Sequence, residues 1–154
     1  MTCELAVLHV EHNLALAEWG MKEFRFRHLP VVEGDKLIGL VSERDLLRAS
    51  VSTLDGDHAL LDDNLKRYFF VIEVMTTELV TVRPDATLLE AARLLYDRKL
   101  GCLPVTKEDG TLVGILTQSD FVGLAAQLLE GRELGRVSGT YAVNAVGSTL
   151  REAK

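Results

Sequence analysis

RFRHLPVVEGDKLIGLVSERDLL at Arg25–Leu47 returns later in the chain as KLGCLPVTKEDGTLVGILTQSDFV at Lys99–Val122. Working outward, MTCELAVL at Met1–Leu8 returns as MTTELVTV at Met75–Val82. The copies align without a gap from Met1 through Gly34. One inserted residue in the later turn (Glu108, Asp109 and Gly110 against Gly34 and Asp35) restores the register, so that Gly39 matches Gly114, Ser42 matches Thr117 and Asp45 matches Asp120. A repeat of this length indicates two copies of one small unit, each too small to bury a core alone.

Each copy reads as strand, helix, strand, strand, helix. In the second, Leu79–Val82 is a short apolar strand ended by Arg83-Pro84-Asp85. Thr87 is the expected N-cap of a helix, with Glu90 completing a capping box. Leu88, Ala91, Ala92, Leu94 and Leu95 give that helix an apolar face of the right period. Leu103–Thr106 and Leu112–Thr117 read as strands joined by a tight turn whose Asp109-Gly110 pair favours a hairpin. Thr117 then caps a last helix with Phe121, Leu124, Ala125, Leu128 and Leu129 on one face. The first copy follows the same plan: Asn13 as cap, Leu14–Phe24 as helix, Glu33-Gly34-Asp35 as turn, Ser42 as second cap. The expected fold class is α/β, two tandem βαββα repeats packed with pseudo-two-fold symmetry. The boundaries expected are 1–50 for the first repeat, 51–74 for a linker, 75–132 for the second and 133–154 for a tail. Ser50–Asp57 reads as a loop. Leu61, Leu65, Tyr68, Phe69 and Ile72 suggest a linker helix running into an extended Val71–Val74. The Gly/Ser-bearing tail has no period and is either unstructured or a contact with another subunit.

The chain has 154 residues, 47% apolar and 26% charged, with a net charge of -6. That suits a soluble globular module of two half-domains sharing a core. An acidic total argues against nucleic acid as the main partner, since phosphate backbones favour a basic surface. No apolar run approaches a membrane span, and none resembles a signal peptide. Met1 aligns with Met75, so the first repeat is expected to begin where the chain begins. Two cysteines, Cys3 and Cys102, form no CxxC pair, which points to a reducing, cytoplasmic home and no disulfide framework. There is no nucleophile elbow, P-loop or HExxH, so no enzyme activity is expected.

The two LPV…G…S/T-x-x-D blocks, with EVMTTELVTVRPDATLLEAARLL opening the second copy, resemble the cystathionine-β-synthase (CBS) domain. Two tandem copies form a Bateman module. The first copy departs from the pattern in lacking a proline at the position of Pro84. The resemblance implies a regulatory module that binds an adenine nucleotide or other adenosyl ligand (AMP, ADP, ATP or S-adenosylmethionine) in the inter-repeat cleft. It also implies a homodimer, with an effector protein reading the bound state, and no required cofactor.

The residues suit that task. Asp45 and Asp120 can each accept hydrogen bonds from the adjacent hydroxyls of a ribose, and bonds to a charged group contribute about 1.5–3 kcal/mol each. Ser42 and Thr117 sit where free helix N–H groups favour phosphate. Gly39 and Gly114, three residues earlier, would let a ligand approach the strand. Leu79, Val80 and Val105, with Leu5, Ala6 and Val31 from the first copy, are candidates to line a purine slot. Thr77 and Cys3 stand where family members contact the base through the main chain. The copies differ before the LPV block, Arg27-His28 against Gly101-Cys102. In some relatives that pair reaches the phosphates, so Arg27, His28 and Arg44 are the expected phosphate clamp, with one stronger site and one weaker.

Plainer readings stand beside these. Ser/Thr-x-x-Asp is also an ordinary helix N-terminus. His9 and His12 fall at a turn with no third metal ligand, and Cys102 reads as a small buried apolar residue. Trp19 and Phe24 read as core or inter-repeat packing, and Asp55, Asp57, Asp62 and Asp63 as a solvated loop. The alternative function is a ligand-free interaction or scaffold module; a nucleic-acid-associated regulator comes third.

Overall fold

The computed structural model describes residues 5–51 and 65–131. Cys3, most of the Ser50–Asp57 loop, the acidic Asp55–Asp63 stretch, Leu61 and the Gly135–Ser148 tail lie outside the described residues. The chain divides into two compact units, the first Ala6–Leu79 and the second beginning at Val80.

The first unit runs β1 (Leu8–His9), α1 (Leu14–Phe24), β2 (His28–Glu33), β3 (Lys36–Ser42) and α2 (Glu43–Val51). β1 lies parallel to β2, with Leu8 beside Val31, and β2 is antiparallel to β3. A two-residue turn, Gly34-Asp35, joins β2 to β3; Gly34 takes φ 60°, which only glycine adopts without steric cost. Apolar side chains from the sheet (Leu8, Leu29, Val31, Val41) meet Leu14, Ala17 and Met21 of α1 and Leu46 of α2 in one core. Burying each such leucine or valine contributes about 1.5–3 kcal/mol.

Asn13 caps α1 as its sequence position suggests, its Oδ1 accepting from Leu16 N at 2.9 Å. From Leu65 on, where the linker is described, it does not continue the expected helix. Its described part holds two single 3-10 turns, Leu65–Arg67 and Val71–Glu73, the second where an extended stretch was expected. The reason is that its backbone is committed elsewhere. Phe69 O accepts from Leu14 N, a free amide of the first turn of α1, and Val71 N donates to His12 O, both at 2.9 Å. Lys66 reaches Glu18 of α1 in an ion pair.

The second unit repeats the plan with α3 (Leu88–Asp97), β4 (Cys102–Thr106), β5 (Leu112–Thr117) and α4 (Gln118–Leu129). The expected Leu79–Val82 strand shrinks to one parallel bridge, Val82 beside Val105, held by Val82 N to Pro104 O at 3.0 Å and Thr106 N to Val82 O at 2.9 Å. Thr87 and Glu90 form the predicted capping box, with Thr87 N and Oγ1 both donating to Glu90 Oε2 at 2.8 Å. The extra residue of this copy is taken up in the hairpin, where Gly110 has φ 84° and Asp109 Oδ1 accepts from Thr111 N. β4 and β2 carry a register shift at the same repeat position, Val105/Thr106 and Val31/Val32.

Two findings depart from the apolar patterns. α4 forms where expected, yet none of its residues is buried; Phe121 packs on the core while Leu128 and Leu129 are exposed. Trp19 and Phe24 are not core residues. Trp19 meets Phe24 edge-on, and Phe24 stacks on Phe26, in an exposed aromatic cluster. The turns that follow α1 and α3 each hold a left-handed residue that is not glycine, Arg25 (φ 56°) and Lys99 (φ 53°). The closing bonds correspond too, Phe26 N to Met21 O and Leu100 N to Leu95 O, each 3.0 Å. No helix among the described residues is long and apolar enough to cross a membrane.

Candidate functional site

Each hairpin delivers a hydroxyl residue at the end of its second strand and an aspartate in the first helical turn that follows. In the first unit Ser42 N and Oγ both donate to Asp45 Oδ2, at 2.8 and 2.6 Å, and Asp45 N donates back to Ser42 Oγ at 3.2 Å. In the second, Thr117 N and Oγ1 donate to Asp120 Oδ2 at 2.7 and 2.8 Å. The plain capping reading therefore holds at both sites. It uses one carboxylate oxygen only: among the described residues Oδ1 of Asp45 and of Asp120 accepts no hydrogen bond. Both carboxylates are half-buried, so each presents an acceptor that a donor pair could still reach.

Around Asp45 the structure gathers the other first-copy candidates. His28 stands opposite Ser42 in the β2–β3 ladder, and Arg27 O accepts from Glu43 N at 3.0 Å, fixing the loop against the start of α2. Burial lowers the pKa of His28; the Asp45 carboxylate opposes that shift, and Arg27 and Arg44 add to it. His28 is thus held toward its neutral form, and the positive charge of the expected clamp falls to the exposed Arg27 and Arg44. The corresponding place in the second unit holds Cys102 opposite Thr117, with Gly101 O accepting from Gln118 N at 3.3 Å. Cys102 is buried and unpaired with another cysteine, and burial pushes its thiol up to about 12.

The remaining candidates divide. Val105 is half-buried in β4 opposite the buried Gly114. Leu79, Val80, Leu5 and Ala6 are half-buried, whereas Val31 is fully buried in the first core and offers no surface. Thr77 is exposed; its neighbour Thr76 is the residue that pairs with the sheet, by a bridge to Leu40. Gly39 differs most from expectation. The space its missing side chain leaves is filled by Met75, which crosses it within contact distance. The repeat alignment contains Met75 as a repeat start and Gly39 as a strand glycine, but nothing in the sequence pairs them.

His9 and His12 form a turn as expected, and more tightly than the spacing suggests. His9 N donates to His12 Nδ1 at 3.0 Å, and the rings meet edge-on at 5.4 Å. Burial, then the neighbouring His9, lowers the pKa of His12 against the opposing pull of Glu11. No group of three metal-ligating side chains occurs among the described residues.

The sequence profile of the CBS-domain family matches residues 1–52 and 71–126. A crystal structure of a Vibrio cholerae protein assigned to acetoin utilization, AcuB, is 40% identical with a TM-score of 0.71, covering 86% of this chain and 91% of that one. The structure of CBSX2 in complex with AMP is 31% identical with a TM-score of 0.62, covering 80% of this chain and 88% of that one. An uncharacterized protein of Methanocaldococcus jannaschii is 31% identical over 136 residues, 87% of this chain but 44% of its own length. The chain thus spans less than half of that relative.

Proposed function

The chain belongs to the CBS-domain family, and from that premise we propose that it is a regulatory module that binds an adenosyl ligand, with AMP the first candidate. It is read as a sensor with no catalytic step of its own. The observation that carries the reading is the pair of Ser42–Asp45 and Thr117–Asp120 boxes, each with one carboxylate oxygen already organised and one still able to accept from a sugar hydroxyl. Support comes from the AMP complex of CBSX2, which at 31% identity is a near enough relative to make AMP the probe of choice.

Asp45 or Asp120 takes the ribose, and Arg27 and Arg44 take a phosphate in the first copy. A guanidinium fork matches phosphate oxygens, and the positive dipole end at the start of α2 favours an anion. The Gly101-Cys102 pair carries no charge, so the second copy is the weaker phosphate site. Val80 and Val105 are the apolar candidates for the base. A homodimer and an effector that reads the liganded state complete the proposal, placed in the cytoplasm.

A thermal-shift panel of AMP, ADP, ATP, S-adenosylmethionine, NAD and cyclic dinucleotides tests it. Binding to the folded state alone adds about 2.7 kcal/mol at a ligand concentration of 100 times Kd. A shift with an adenosyl ligand that Asp45→Ala or Asp120→Ala abolishes is the expected result. No shift with any of them sinks the reading.

A ligand-free interaction module is the second reading. Leu47 on α2 and Val122 on α4 occupy the same repeat position and are 65% and 68% exposed. Apolar side chains at matched places on two helices favour a protein partner whether or not a nucleotide binds.

A further inference from the structure

Met75 lies across Gly39. A side chain built on Gly39 would place its Cβ 2.8 Å from Met75 Cγ and 3.2 Å from Met75 Cβ, and closer still to Sδ. Strand β3 is therefore notched at Gly39, and the thioether fills the notch. Val31 is the ladder partner of Gly39, and Met75 packs against the core cluster to which Val31 belongs. The next residue is tied down as well. Thr76 N donates to Leu40 O at 2.9 Å, and Leu40 N donates to Thr76 O at 3.0 Å. Met75 N donates to Val71 O at 2.9 Å. One side chain in a notch and one reciprocal backbone bridge thus hold the segment leading toward the second repeat on the edge of β3.

Gly39 also stands three residues before Ser42, on the strand that presents the Ser42–Asp45 box. We propose that Met75 is a latch: a planar ligand group that reaches β3 at Gly39 displaces the thioether and frees Thr76 from Leu40. This deepens the adenosyl-ligand reading and rests on it. The notch admits one occupant, so latch and ligand are alternatives, and each weakens the other by the same factor. Methionine suits such a part. Its unbranched, polarizable side chain leaves a gap by rotating its own bonds, where a β-branched residue would need the backbone to move. The bridge that follows is a single pair, the smallest unit of sheet that can open without unzipping β2 from β3. Binding near the box is thereby converted into a change at the segment that connects the two repeats.

Amide hydrogen exchange on the whole chain, with and without AMP, tests the latch in wild type, Gly39→Ala and Met75→Ala. In wild type, AMP should speed exchange at Leu40 and Thr76 about tenfold or more while the other amides of the β2–β3 ladder stay protected. Gly39→Ala should give the same pattern without AMP, because the new Cβ crowds Met75 as far back as its own Cβ. Met75→Ala should bind AMP about threefold tighter or more, since no occupant has to leave. Bound AMP with Leu40 and Thr76 as slow as before, or weaker AMP binding by Met75→Ala, overturns the proposal. If AMP binds none of the three proteins, the adenosyl reading falls. The latch is then decided by exchange alone, and unchanged rates at Leu40 and Thr76 in Gly39→Ala overturn it. Should Gly39→Ala not fold, Met75→Ala carries that readout: faster exchange at Thr76 supports the latch, and an unchanged rate overturns it.

Discussion

Arg25 and Lys99 occupy the same place in the two repeats and hold the same left-handed backbone, φ 56° and φ 53°. A β-carbon in that region is crowded against the following carbonyl, and glycine there is not. Arg25→Gly and Lys99→Gly should each stabilise the fold by about 0.5–1 kcal/mol, the relief of strain being partly offset by glycine's freedom in the unfolded chain. Urea unfolding of the single and double variants checks this. An additive gain is expected, and a loss in either variant would mean that the side chain does more than occupy the turn.

Two capping boxes of the same chemistry should respond differently to a nucleotide. Thr87→Ala removes the exposed box at the start of α3 and should cost about 1 kcal/mol, with the AMP-induced rise in Tm unchanged. Ser42→Ala should cost a similar amount and reduce that rise, because Ser42 positions Asp45. Equal AMP responses in both variants would separate the Ser42–Asp45 box from the ligand.

Acid should weaken the first unit through His12. Its pKa is lowered in the folded protein, so the native state favours the neutral ring whose Nδ1 accepts from His9 N. The unfolded chain takes up that proton first. The stability is therefore complete above the unfolded value near 6.5 and is lost as pH falls through that value toward the folded one. His28 is lowered too and adds a slope of the same sign. His12→Phe should be less stable than wild type at about pH 8, by roughly 1 kcal/mol for the lost hydrogen bond, yet flatter between about pH 7 and 5. A wild-type slope retained in His12→Phe would assign the acid sensitivity elsewhere.

Cys102 should be chemically silent in the folded state. With its thiol pushed up to about 12, almost none is thiolate at neutral pH, and thiolate is the reactive form. In a Cys3→Ser background, a disulfide reagent at about pH 8 should react only at the rate of unfolding, and in full once denaturant is added. Fast labelling of the native protein would contradict the buried placement.

Local chemistry was the legible part of this chain. Asn13, Ser42, Thr87 and Thr117 were readable as caps because a cap is decided within four residues, and α1 runs from Leu14 to Phe24 as the plan of the repeat implies. What could not be read depended on distant partners. The 3-10 turns at Leu65–Arg67 and Val71–Glu73 exist because Phe69 and Val71 bond to the start of α1, which no helical period in the linker reveals. Gly39 looked like an opening for a ligand, since a sequence records a missing side chain but not the Met75 thioether that fills its place. Trp19 and Phe24 read as core or inter-repeat packing; the core half of that reading fails, since both lie exposed on α1, edge-on to each other.

The Thr76–Leu40 bridge also determines where this protein can be divided. The repeat in the sequence restarts at Met75, and a fragment trimmed there would end at Val74. It would leave β3 with an open backbone at Leu40 and an empty hollow at Gly39, an invitation to pair with a neighbouring chain. A fragment carried on to Leu79 keeps its own bridge partner at Thr76 and its own filler at Met75. The seam between duplicated messages and the seam between folded bodies are a few residues apart, and expression of either half alone would turn on which of them is cut.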